Sequence, residues 1–206
     1  MKLQLALDRL TWDKCIEVLN QTHESIDIIE VGTGVIKEYG MAIVKEIRKR
    51  FPSHQIMADM KTCDAGGHEA RQAFNAGADI TTVMAFSSVL TIQDTMEVAS
   101  EYEGRVMVDL LEVQNREKLE EISALNVDLV SLHVGKDRQK KGVFNTEMFK
   151  LVDGFPYEVA VAGGIDKNTV GQAASGNPNI IIVGSAITKA ENYAQAAETI
   201  RRTMKG

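Results

Sequence analysis

The hexapeptide Asp59-Met60-Lys61-Thr62-Cys63-Asp64 sets a carboxylate, a cation and a second carboxylate at the end of an apolar run. That run, Gln55-Ile56-Met57-Ala58, reads as a short strand. Residues two apart on a strand share a face, so Asp59 and Lys61 project together and Met60 projects the other way. Taken alone, such a motif is equally a salt-bridge cluster at a strand end. Chemistry requires more polar groups at the same place and a fold that gathers them.

Polar groups recur at the ends of other apolar runs. Asp8 follows Leu3 to Leu7, Glu30 precedes Val31-Gly32-Thr33 at the end of Asp27 to Val31, and Asp109 closes much of Arg105 to Leu110. His133 sits near the end of Asp128 to Val134, followed by Lys136 and Asp137. Singly, each has a plain structural use: Asp8 and Asp109 suit the capping of a following helix, and a lone histidine suits a hydrogen-bonded core position. Gathered at one mouth, Glu30 and Asp59 would offer hard oxygen ligands to Mg2+ while Lys61 balances their charge, a setting for an anionic intermediate. Two later runs, Tyr157 to Ala162 and Asn179 to Val183, lead into Gly163-Gly164 and Gly184-Ser185. Loops of this kind bind phosphate through backbone N–H groups, since glycine lets the backbone approach the oxygens. Gly32-Thr33-Gly34 lacks the third glycine and the ribose-binding acid of a dinucleotide site, so no nicotinamide cofactor is expected.

The elements that must position these groups are legible in the spacing. With Asp79 to Met84 there are eight apolar runs, separated by about one strand-helix unit. Helical periodicity fills the intervals, as in Val35 to Arg50 and Thr91 to Tyr102. Ala76 to Asp79 and Leu125 to Asp128 read as helix C-caps leading straight into the next strand. Strand and helix alternate throughout, which predicts a parallel sheet closed as a (β/α)8 TIM barrel, one α/β domain over residues 1–206. In that fold the C-terminal strand ends surround a single mouth.

Composition narrows the partners. A net charge of -6 without a basic stripe or interleaved aromatics argues against nucleic acid. Asp8 and Arg9 interrupt the first apolar run far short of a signal or membrane segment, so a cytoplasmic protein without a membrane partner is expected. Cys15 and Cys63 have no metal-ligand spacing and suggest no disulfide framework; Cys63 reads as a small, partly buried spacer.

Across its whole length the chain resembles the orotidine-monophosphate decarboxylase suprafamily. The resemblance is carried by Leu5-Ala6-Leu7-Asp8, Glu30-Val31-Gly32-Thr33, Ala58 to Gly67, Ala76-Gly77-Ala78-Asp79, His133 to Gln139 and Ala162-Gly163-Gly164-Ile165. Within the suprafamily it is most similar to the 3-hexulose-6-phosphate synthase family, in having Gly66-Gly67 after Asp64 and His133-x-Gly135. The 3-keto-L-gulonate-6-phosphate decarboxylases are the near relatives. Lys136 departs from both patterns, and Ser185 replaces the more usual glycine or arginine.

The resemblance implies Mg2+ and a 1,2-enediolate, formed from D-ribulose 5-phosphate and captured by formaldehyde. Lys61 would stabilise the charge and His133, whose imidazole ordinarily titrates near neutral pH, would transfer the proton. Asp8 and Asp64 would hold Lys61 and substrate hydroxyls. Asp109 and Lys136 would face the substrate, whose phosphate Gly163, Gly164, Gly184 and Ser185 would grip. A homodimer is also implied, with Asp64 lent across a two-fold interface to the partner's site. Two other readings stand beside this one: decarboxylation of 3-keto-L-gulonate 6-phosphate, and a non-catalytic phosphosugar-binding barrel.

Overall fold

The structure, a computed structural model, describes residues 1–141 and 145–204. Its eight strands are β1 (Lys2–Leu7), β2 (Ile28–Val31), β3 (Gln55–Thr62), β4 (Ile80–Met84), β5 (Arg105–Asp109), β6 (Leu129–His133), β7 (Glu158–Ala162) and β8 (Ile180–Val183). Each pairs in parallel with the next, and β8 pairs with β1 through Gln4↔Ile182 and Leu5↔Val183, closing the barrel. The surrounding helices are α1 (Trp12–Thr22), α2 (Thr33–Tyr39), α3 (Met41–Arg50), α4 (Gly66–Asn75), α5 (Val89–Glu101), α6 (Glu117–Ser123), α7 (Val170–Ser175), α8 (Ser185–Thr188) and α9 (Tyr193–Met204). This is the expected (β/α)8 barrel.

The apolar runs are continuous because each strand is covered on both faces. Leu3, Leu5, Ile29, Ile56, Val108, Val130, Val161 and Ile181 face the helices. Ile28, Met57, Ile80, Met107, Leu129, Ala160 and Ile180 point inward and form an apolar floor. Two residues further along, on the same inward face, come Glu30, Asp59, Thr82, Asp109 and Ser131. The strand period thus converts a sequence pattern of apolar and polar residues two apart into a dry floor beneath a polar mouth.

Three local departures from the sequence-based expectation have physical causes. The helix expected over Val35 to Arg50 is two helices, broken at Gly40, whose φ of 61° is left-handed and whose missing Cβ would meet nothing within 4 Å. That glycine serves the backbone turn. Strand β3 continues through Thr62, because its register against β4 shifts between Ala58 and Thr62 and Lys61 takes up the slack at φ 50°. Between β6 and β7 the described residues form 3₁₀ segments, Arg138–Lys141 and Thr146–Leu151, so strict strand-helix alternation does not hold there. The two expected C-caps are present, with left-handed Gly77 (φ 95°) and Asn126 (φ 58°). Among the described residues no helix is long and apolar enough to cross a membrane.

Candidate active site

A cavity of about 490 Å³ opens at the C-terminal ends of the strands. Glu30, Asp59, Lys61, Asp109 and His133 line it, as do Asp8 and Lys136 toward its rim. Gly163, Gly164, Gly184 and Ser185 line it from the last two strands. Of the residues expected at the mouth, Asp64 and Asp137 are not among the lining; both are exposed, Asp64 on the loop after β3 and Asp137 in the turn after β6.

Lys61 is the hub. Its Nζ donates to Asp109 Oδ2 at 2.6 Å and stands 3.3 Å from Asp59 Oδ1. Burial disfavours its charge, but the Asp59 and Asp109 carboxylates outweigh burial and raise its pKa, so it is an ammonium at any working pH. Asp109 Oδ2 also accepts from His133 Nδ1 at 2.9 Å, while Oδ1 accepts the Leu111 N–H at 2.9 Å. Asp109 is 3% exposed, which alone would favour its neutral form; the His133 hydrogen bond and the Lys61 charge prevail and hold it near about 2. A carboxylate facing Nδ1 fixes that nitrogen as the donor of a neutral ring and leaves Nε2 as the basic one.

Glu30 and Asp59 lie side by side on β2 and β3. Glu30 is pushed up to about 8, first by burial and then by the neighbouring Asp59 charge, with Gln4 Nε2 donating to its Oε2 at 2.7 Å. A buried carboxyl held up by a second carboxylate is a site short of positive charge. Among the described residues no three histidine, cysteine or acidic side chains group as a metal cage. Two carboxylates with the remaining positions open suit Mg2+, which usually keeps waters and binds substrate oxygens besides one or two acidic side chains.

Asp8 takes up a different place from the one expected. Its Oδ1 accepts the Gly34 N–H at 3.1 Å and its Oδ2 pairs with Arg9 at 3.0 Å, so it caps the start of α2 at the rim, while Lys61 is held by Asp59 and Asp109. Lys136 is exposed, with Nζ donating to Gln139 Oε1 at 3.1 Å. Gly163 and Gly164 have φ of 120° and 71°, and a Cβ on Gly163 would lie 2.6 Å from Val134 O, so both positions demand glycine. Cys63 is exposed, not a partly buried spacer, because the turn after Thr62 carries it clear of the barrel wall.

Sequence reasoning missed a set of neutral residues. Thr33 Oγ1 donates to Asp59 Oδ2 at 2.8 Å, and Thr82 Oγ1 donates to Asp59 Oδ1 at 2.8 Å. Gln4 lies fully buried beneath Glu30, its Oε1 without a partner. Gln139 donates to Val134 O at 2.8 Å and lines the cavity. The one available signal was position: Thr82 is two residues beyond Ile80, as Asp59 is beyond Met57.

Comparison with known proteins places the chain in a family by sequence and by fold. Residues 1–200 match the family described as orotidine 5'-phosphate decarboxylase / HUMPS. The chain is 36% identical over 205 residues to a 3-hexulose-6-phosphate synthase of Bacillus subtilis (strain 168), covering 98% of each chain. The crystal structure of 3-hexulose-6-phosphate synthase from Salmonella typhimurium superposes with a TM-score of 0.95 at 35% identity, covering 100% of this chain and 99% of that one. A 3-keto-L-gulonate-6-phosphate decarboxylase from Vibrio cholerae gives a TM-score of 0.89 at 27% identity, covering 99% and 97%. With a full-length match in sequence and in barrel architecture, the chain belongs to the orotidine 5'-phosphate decarboxylase / HUMPS family.

Proposed function

We propose that this chain catalyses the aldol condensation of D-ribulose 5-phosphate with formaldehyde. That it is an enzyme of the lyase type follows from its relatives; the substrates are the proposal. The observation that carries it is the identity with a 3-hexulose-6-phosphate synthase over 98% of both chains. His133 Nε2 takes the proton from C1 of the sugar, beside the ketone, while Asp109 steadies the imidazolium through Nδ1. The Lys61 ammonium stabilises the negative charge that develops on oxygen as the enediolate forms. C1 then attacks the formaldehyde carbon, and the new alkoxide takes a proton back from His133. Gly163, Gly164, Gly184 and Ser185 anchor the phosphate at the far rim, so that C1 is delivered to the charged side. Glu30 and Asp59 are the residues to hold Mg2+, which supplies Lewis-acid stabilisation of the oxygen charge when bound.

The working unit of the proposal is a cytoplasmic homodimer. Asp64 is exposed and outside its own cavity, and the segment that leads from β4 into α5 presents Phe86, in the turn after β4, at 58% and Leu90, in the first turn of α5, at 70% exposure. The two segments are joined closely: a Cβ on Gly66 would stand 2.2 Å from Thr91 O. A second copy seated here would cover the apolar pair and receive Asp64.

Lys136 at the cavity rim favours a second reading, decarboxylation of 3-keto-L-gulonate 6-phosphate, since loss of CO2 yields the same enediolate for protonation. Assays of purified protein with ribulose 5-phosphate plus formaldehyde, and separately with the keto-gulonate phosphate, decide between them. Condensation is expected to dominate. Turnover of the keto-gulonate substrate alone would overturn the first reading, and turnover of neither would return the chain to the class of binding barrels.

A further inference from the structure

Lys61 carries two burdens that usually exclude one another. It supplies the ammonium at the centre of the site, and its backbone sits at φ 50°, a conformation that side chains other than glycine seldom adopt. The register shift between Ala58 and Thr62 leaves Lys61 without a paired residue on β4, so no paired position supplies an acceptor for its N–H. Thr82 does. Its Oγ1 accepts the Lys61 N–H at 2.8 Å and donates to Asp59 Oδ1 at 2.8 Å. An amide can only donate and a carboxylate can only accept, so the single hydroxyl proton has one possible direction, and each bond polarises the next. The same Oδ1 stands 3.3 Å from Lys61 Nζ, which closes a ring from the Lys61 backbone through Thr82 and Asp59 to the Lys61 ammonium. At 2% exposure Thr82 leaves water little access to replace the hydroxyl.

We propose that Thr82 is a positioning residue, whose hydroxyl supplies the acceptor that no paired position does and locks the left-handed backbone of Lys61 to the Asp59 carboxylate. Threonine on β4 then has a role beyond packing. Its methyl and β-branch suit the strand, while the hydroxyl sets where the ammonium and the carboxylate stand relative to one another.

Thr82→Val keeps the shape and removes the hydroxyl, and Thr82→Ser keeps the hydroxyl. Amide hydrogen exchange at Lys61, read by NMR on substrate-free protein, is expected to quicken at least about tenfold in Thr82→Val and to stay near wild type in Thr82→Ser. The kinetic arm rests on the proposed condensation: kcat should fall about 10- to 100-fold in the valine variant with KM for the phosphosugar within about threefold, and the serine variant should recover it. Unchanged Lys61 exchange in the valine variant would overturn the proposal. So would normal kcat despite fast exchange, or a serine variant as impaired as the valine one. If Thr82→Val does not fold, Thr82→Ala, which brings no methyl against the carboxylate, carries the same readings. Should the protein not turn over ribulose 5-phosphate and formaldehyde at all, the functional reading fails, while the exchange comparison still decides the role of Thr82.

Discussion

His133 Nδ1 stands 2.9 Å from Asp109 Oδ2, the same oxygen that accepts Lys61 Nζ at 2.6 Å. One carboxylate oxygen therefore links the group assigned to move the proton with the group assigned to meet the resulting charge. When the ring gains a proton, its attraction to Asp109 strengthens and competes with the ammonium for that oxygen. His133→Asn should lower kcat by about 10²- to 10⁴-fold while leaving phosphate-dependent binding intact, because the anchor at the glycine loops is untouched. Steady-state kinetics together with a competing phosphosugar inhibitor would measure both, and unchanged turnover would remove His133 from the mechanism.

Removing the shared carboxylate is expected to cost stability as well as activity. In Asp109→Asn the half-buried Lys61 keeps only one carboxylate, that of Asp59 at 3.3 Å, which should destabilise the protein by about 3 kcal/mol. Asp109 is depressed from 3.8 to about 2, so its contribution is complete above 3.8 and is lost as pH falls through about 2. Wild type should therefore lose stability over that acid window more steeply than the variant. Equal acid denaturation profiles would show that the pair does not contribute.

Glu30 gives the opposite sign. Its folded value of about 8 lies above the ordinary 4.5, so in metal-free protein its contribution is complete below 4.5 and is lost as pH rises through about 8. Calorimetry should find metal-free protein less stable at about pH 8.5 than at about pH 5, by at least about 1 kcal/mol or roughly 3 °C in Tm. Mg2+ should restore the difference at the higher pH. Glu30→Gln should flatten the pH dependence and abolish the Mg2+ effect; a Mg2+ shift that survives the substitution would place the ion elsewhere. Chelation should also abolish turnover, and Mg2+ should return it.

The barrel was legible in the sequence because its strands are covered on both faces and announce themselves as apolar runs. Asp59, Lys61, Asp109 and His133 were legible as lining of one mouth because ionisable groups recur at several strand ends of one barrel, although each taken singly has a plain structural use. Thr33, Thr82 and Gln4 were not, since uncharged polar residues are at home in any strand or helix start. Asp8 shows a different limit: the sequence placed it correctly at the mouth, but the choice between Lys61 and the N–H of Gly34 depends on how β1 packs against α2. Gly40 was hidden inside good helical periodicity, where a single glycine reads as tolerated.

Sharing of the site between subunits has its own test. Lys61→Ala and Asp64→Asn homodimers should each be nearly inactive. Mixing them in equal amounts makes about half the dimers mixed, each with one intact site, so roughly a quarter of wild-type activity should reappear. If exchange of subunits is verified by mass spectrometry and no activity returns, Asp64 serves only its own chain.

Lys136 separates the two candidate reactions. Lys136→Ala should reduce turnover of 3-keto-L-gulonate 6-phosphate by about tenfold more than the condensation if the cation serves that substrate's carboxylate. Equal losses in both assays would assign it to steering the common phosphate.

The alternation of Ile28 with Glu30, Met57 with Asp59, Ile80 with Thr82 and Met107 with Asp109 bears on how such a protein can change over generations. Substitution at an upper position can alter the reaction while the floor beneath keeps the barrel closed, so new activities can be explored one residue at a time. Insertion or deletion of a single residue within a strand has no such freedom. It would turn the acid toward the helices and the floor residue toward the neighbouring register, forfeiting fold and chemistry together. Lineages descending from this architecture should therefore diverge by replacement within the strands and by length only in the loops.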